Sequence, residues 1–105
     1  MANYLFVYHG GSNPETPEEG AAVMKAWTDW FTVLGPAVVD GGNPAGPTKV
    51  LGADGSVRDG GPDAPSGYSV IAAASLDAAV EIARGCPVLT DPSASVEVVE
   101  TLEVM

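Results

Sequence analysis

Residues 67–87 read Gly-Tyr-Ser-Val-Ile-Ala-Ala-Ala-Ser-Leu-Asp-Ala-Ala-Val-Glu-Ile-Ala-Arg-Gly-Cys-Pro, and residues 95–105 read Ser-Val-Glu-Val-Val-Glu-Thr-Leu-Glu-Val-Met. The first stretch opens as a strand over Gly67–Ala74. Ser75 then has the chemistry of a helix N-cap, and Asp77 falls in the positive first turn. Leu76, Ala79, Val80 and Ala83 recur at helical spacing and form an apolar face. Gly85 is a stop signal and Pro87 blocks continuation. The second stretch predicts a last strand from about Ser95 to Val104.

Working backwards, the first half repeats the same order. Residues 3–9 predict a strand with Leu5 and Val7 on one side and Tyr4, Phe6 and Tyr8 on the other. Both sides are apolar, so both sides expect burial. Gly10–Pro14 has loop composition. Thr16 is an N-cap, Pro17 suits the first helical position, and Glu19 completes a capping box. Val23, Trp27, Trp30 and Leu34 share a helical stripe, flanked by Ala26, Phe31 and Val33, with Lys25, Thr28, Asp29 and Thr32 opposite. Gly35-Pro36 ends the helix. Ala37–Asp40 starts a second strand. Residues 41–47 are too rich in Gly and Pro for regular structure, and Lys49–Leu51 with Ser56–Arg58 flank Asp54-Gly55 as a hairpin.

The order is βαββαβ with a small hairpin inserted. It predicts an α+β fold: one domain over 1–105, a ferredoxin-like plait with an antiparallel sheet and both helices on one face. That arrangement leaves the other sheet face open. The aliphatic side of strand one suits helix packing, so the expectation places Tyr4, Phe6 and Tyr8 on the open face. Soluble monomers avoid an apolar patch of that size. A homodimer packed sheet to sheet through these three residues follows, pairing the plait into a dimeric α+β barrel. In the last strand Val96, Val98, Leu102 and Val104 share one parity, which puts Glu100 among them. Burying a lone carboxylate is costly, so the alternation is expected to break near Val99-Glu100, by a bulge or by the strand leaving the sheet.

Composition narrows the function. The 105 residues are 46% hydrophobic and 17% charged, which predicts a folded chain with one core. Fourteen acids against four bases give a net charge of -10. That field repels phosphate, which argues against nucleic acid and anionic membrane surfaces as partners. Cys86 is the single cysteine and forms no internal disulfide. No apolar run approaches the ~20 residues of a membrane span, and the first residues lack a basic signal-peptide region. The reading is a soluble cytoplasmic protein.

The chemistry-bearing residues are few. His9, the single histidine, ends strand one beside Gly10-Gly11, where an imidazole can serve as acid or base. The competing reading is a strand-end histidine bonded to backbone or water. Asp40 and Asn43 end strand two. Asp40 within reach of His9 would orient the ring; plain turn chemistry also accounts for both residues. Trp27 and Trp30 read as core packing, with a ring-stacking cleft wall as the alternative. Asp54, Asp59 and Asp63 do not have the spacing of a calcium loop, and one His with one Cys makes no zinc site. Residues 41–47 are not a phosphate loop. Cys86 follows a helix C-terminus, where the dipole disfavours a thiolate, and reads as structural.

Asp59-Gly60, Gly67-Tyr68, Ser75-Leu76-Asp77-Ala78-Ala79, Gly85-Cys86-Pro87 and Ser95-Val96-Glu97-Val98, in this order and spacing, resemble the YCII-related (DGPF) domain family over nearly the whole chain. The resemblance implies a ferredoxin-like fold and a homodimeric α+β barrel. Better-studied relatives are proposed to use a His–Asp pair, and one branch includes a dehydrochlorinase acting on chlorinated hydroquinones. Two departures stand out. The Asp-Gly-Pro-Phe stretch appears as Asp59-Gly60-Gly61-Pro62, and the first helix has no histidine near Lys25–Trp27. The His–Asp chemistry is therefore not carried over.

The expectation is a small-molecule-binding protein or a cofactor-independent acid–base or lyase-type enzyme. The pocket lies between sheet and helices, with His9 and Asp40 as its catalytic pair and Asn43, Trp27, Tyr68 and Asp59 binding the ligand. No metal is implied. The alternative is a non-catalytic dimeric regulatory or structural module.

Overall fold

The computed structural model describes residues 1–11 and 14–104. Ser12, Asn13 and Met105 lie outside the described residues, and with them the middle of the Gly10–Pro14 loop. The elements are β1 (Ala2–His9), α1 (Pro17–Leu34), β2 (Val38–Asp40), β3 (Lys49–Leu51), β4 (Val57–Asp59), β5 (Pro65–Ala73), α2 (Leu76–Ala83) and β6 (Ser95–Glu100). Short 3-10 turns occupy Gly35–Ala37, Gly61–Asp63 and Pro87–Thr90. The architecture is α+β, with a four-stranded sheet in the order β2-β5-β1-β6 and a separate two-stranded β3–β4 ribbon. Every pairing is antiparallel.

Both helix starts follow from their caps. Thr16 Oγ1 accepts from the Glu19 N–H at 3.1 Å, and Ser75 Oγ from the Ala78 N–H at 3.1 Å. The reciprocal half of the first capping box is displaced by one residue: Glu19 Oε2 accepts from the Glu15 N–H at 2.9 Å. Gly35 ends α1 at φ 57°, where a side chain would be strained.

The core holds Tyr4, Phe6, Tyr8, Trp30, Ile71, Ala73, Ala79, Ala83 and Cys86. The aromatic side of β1 thus lies beneath the helices, which reverses the expected facing. Tyr4, Phe6 and Tyr8 are 2%, 0% and 5% exposed within the single chain, so they offer no surface to a second copy. The physical reason is volume. Helix α2 presents alanines to the sheet, and close packing needs large rings opposite small residues. Trp27 closes the other end, with its ring centroid 5.0 Å from that of Tyr8 in an edge-to-face contact. A buried polar path in the core is satisfied: the Tyr8 hydroxyl donates to Ser69 Oγ at 2.8 Å, which donates to the Gly41 carbonyl at 2.8 Å.

The open face carries the other parity. Val7 stands between Tyr68 and Glu97, and Leu5 between Val70 and Val99. Leu5, Val7 and Val70 are half-buried by one another and lie outside the core and its packed shell.

The last strand keeps regular register through Glu100, which opposes Tyr4, and stops there. No bulge forms; the strand leaves the sheet after Glu100, the second of the two expected breaks, and does not extend to Val104. Glu100 is exposed because β6 is the sheet edge, and Leu102 and Val104 are exposed beyond it. The Thr101 N–H and hydroxyl both donate to the Asn3 carbonyl, at 3.1 and 2.7 Å. The hairpin loop runs over residues 52–56, one residue longer than the expected strands Lys49–Leu51 and Ser56–Arg58 leave. Its last pair is Leu51 with Val57. Asp54 Oδ1 accepts from the Ser56 N–H and hydroxyl at 2.9 and 2.7 Å, an Asx-type turn that absorbs the extra residue.

Candidate functional site

His9 ends β1 on the open face. Its Cα partner on β6 is Ser95, and Glu97 stands one same-face step along that strand. This diagonal lets the imidazole Nε2 reach Glu97 Oε1 at 2.9 Å. A carboxylate accepts, so Nε2 carries the donated proton. Nδ1 is buried and has no hydrogen-bond partner among the described residues. The His9 side chain is 21% exposed and that of Glu97 60%.

The pair forms one wall of an open cleft of about 600 Å³, completed by Gly10, Pro62, Asp63, Ser93, Ser95 and Val96. Backbone geometry holds these walls close. Gly10 sits at φ 76°, and a Cβ there would lie 3.1 Å from the Ser93 carbonyl oxygen. The register slips between Tyr8 and His9, where the partner residue on β5 moves from Gly67 to Pro65. The Gly61–Asp63 turn that precedes β5 supplies the opposite wall. Among the described residues Glu97 and Asp63 are the carboxylates of the cleft, and no Lys or Arg lines it.

The other expected site residues lie elsewhere. Asp40 opposes Val70, level with Leu5, on the sheet edge away from β6. Its Oδ1 accepts from the Gly42 N–H at 2.8 Å, so it does turn chemistry and does not orient His9. The Asn43 carbonyl accepts from the Tyr68 N–H at 3.4 Å, and its side chain is exposed. Trp27 packs with Tyr8, Trp30 and Phe31 on the helix side and does not line the His9 cleft. Tyr68 shares the open face with His9 and is 38% exposed. Asp59 pairs with Lys49 in the β3–β4 ribbon. Of the expected catalytic pair, His9 alone lines the cleft. Sequence reasoning missed Glu97 and Asp63. The parity of Val96-Glu97-Val98 already sets Glu97 on the open face, but the β1–β6 register is needed to bring it to His9.

Among the described residues no group of three or more His, Cys, Asp or Glu side chains is close enough to hold a metal ion. No described helix is long and apolar enough to cross a membrane. Burial pushes the Cys86 thiol up to about 11, and it pushes the Tyr8 hydroxyl upward as well. Both therefore stay protonated and chemically quiet at neutral pH. No family model, curated protein or solved structure matches the chain.

One imidazole nitrogen is walled in and the other is already bonded. Both side chains line the cleft, and Glu97, the more exposed of the two, keeps a second oxygen for a visitor.

Proposed function

We propose that the chain is a YCII-related-type protein that binds a small molecule in the His9–Glu97 cleft. Glu97 acts as the ligand-facing base or hydrogen-bond acceptor and His9 as its positioning residue. The observation that carries this reading is the 2.9 Å imidazole–carboxylate bond on the wall of an open cleft. With Asp63 as the other ionisable group lining the cleft, a neutral hydrogen-bond donor or a cation fits better than an anion. The family resemblance rests on the motifs quoted above.

The finer fold belongs to the same proposal. The order β2-β5-β1-β6, antiparallel throughout with both helices packed over Tyr4, Phe6 and Tyr8, supports a ferredoxin-like plait. Leu5, Val7, Tyr68, Val70 and Val99 then form the face through which two copies pair into a dimeric α+β barrel. The unpaired thiol of Cys86 supports a reducing, cytoplasmic location.

The second reading, a dimeric module without chemistry, is favoured by one feature. A His–Glu bond between neighbouring strands also serves as a surface clasp. A fragment library read by amide chemical shifts separates the two. The site reading expects hits that move His9, Gly10 and Glu97 amides and vanish in Glu97→Gln. Hits that map elsewhere, or that bind Glu97→Gln equally well, overturn it.

A further inference from the structure

The β3–β4 ribbon is ordered yet has almost nothing of its own chain to lean on. Its strands make their main contacts with each other, and none of its residues belongs to the core or to the packed shell around it. An isolated two-stranded hairpin is marginal in water. This one is nevertheless closely specified. The Gly60 N–H donates to the Thr48 carbonyl at 3.2 Å at the stem, Lys49 pairs with Asp59, and the Gly52 N–H donates to the Ser56 carbonyl at 2.8 Å at the tip. Leu51 and Val57 are directly opposed on one face, 71% and 64% exposed.

The dimensions of the chain point the same way. Its radius of gyration is 15.0 Å, where a compact domain of this length has about 13 Å. Its accessible surface is 7170 Å², about 1,700 Å² above that of a compact monomer of this mass. A standard interface buries about 800 Å² per partner, so the excess exceeds one such interface and matches a larger obligate one. Charge favours the same partner. Lys49 and Arg58 offset Asp54 and Asp59, so the ribbon is neutral on a chain of net charge -10. A neutral segment approaches a second acidic copy at less electrostatic cost than the acidic parts of the chain.

We propose that the ribbon from Thr48 to Gly60 is an exchange arm, which packs Leu51 and Val57 onto a second copy of this chain. The arm rests on the dimer reading above and extends it. Its stem leads directly into the Gly61–Asp63 turn that walls the His9 cleft, so subunit contact and cleft geometry are mechanically joined.

The test is the Leu51→Thr, Val57→Thr double variant, which keeps strand propensity while removing apolar surface. Sedimentation equilibrium is run on it and on the unaltered chain. The arm predicts an unaltered dimer whose dissociation constant rises at least about tenfold in the variant. A second measurement covers misfolding of the variant: a nitroxide on Ala53→Cys at the tip, mixed with unlabelled-cysteine chain carrying ¹⁵N. Intermolecular broadening of the ¹⁵N chain supports the arm. A dimer with an unchanged constant and no such broadening overturns the arm and leaves the dimer standing. A monomeric unaltered chain overturns both.

Discussion

Gly42 lies directly against the backbone of Tyr68: a Cβ built on it would stand 1.7 Å from the Tyr68 carbonyl oxygen. Gly42 is also at φ 72°, in the left-handed region. The Gly-Pro-rich segment after β2 is therefore seated tightly on β5. The same contact brings the Asn43 carbonyl to the Tyr68 N–H and the Gly41 carbonyl to Ser69.

Gly42→Ala should cost about 3 kcal/mol or more, because clash and backbone strain add. Gly55 is the control. It has φ 87° with nothing within 4 Å of a built Cβ, so Gly55→Ala should cost about 1–2 kcal/mol of strain alone. Urea midpoints measure both, and equal losses would contradict the seating of Gly42.

The two faces of β1 should respond in different currencies. Phe6 is fully buried, and Phe6→Ala should lower monomer stability by about 3–5 kcal/mol. Val7 lies on the open face between Tyr68 and Glu97. Val7→Lys should leave the fold intact, since Glu97 is at hand for the ammonium, while abolishing the proposed dimer. Circular dichroism melts and light scattering read the two effects apart. A Val7→Lys chain that remains dimeric would remove this face from the interface.

For the cleft, Glu97→Gln should change stability by less than about 1 kcal/mol, as expected for a pair with one partner 60% exposed. The same change should abolish binding of cleft ligands. His9→Gln should weaken binding less, because Glu97 remains while its orientation is lost. A Glu97→Gln chain that is strongly destabilised and binds as before would identify the pair as a clasp.

The elements were legible because each boundary is a local event. Thr16, Pro17, Gly35, Ser75 and Gly85 act on neighbouring backbone groups, and those rules need no tertiary knowledge. The facing of β1 was not legible. With Leu5 and Val7 on one side and three aromatics on the other, both sides satisfy an apolar pattern. The choice falls to volume, set by Ala79 and Ala83 far along the chain. The site divides in the same manner. His9 is visible as a lone titratable strand end, whereas its partner depends on register. Asp40 is expected near His9 if the ends of the first two strands meet at one border of the core, but β5 lies between β1 and β2 in the sheet.

Cys86 provides a pH test of the core. Its thiol is 3% exposed, and burial raises it from the ordinary value near 9 to about 11 in the folded chain. A folded value above the unfolded one means that the neutral thiol is favoured by folding. That contribution is fully present below about pH 9 and is lost as pH rises towards 11. Tyr8, also pushed upward by burial, adds to the loss in the same direction. Urea midpoints should therefore hold steady at neutral pH and fall between about pH 9 and 11, with a smaller fall in Cys86→Ala, where the contributions of Tyr8, Tyr4 and Lys25, all raised in the folded chain, remain. Alkylation of the native thiol should be slow at neutral pH and accelerate on unfolding. Parallel midpoint curves for the two chains, or rapid alkylation of the folded protein, would show that Cys86 is not sealed in the core.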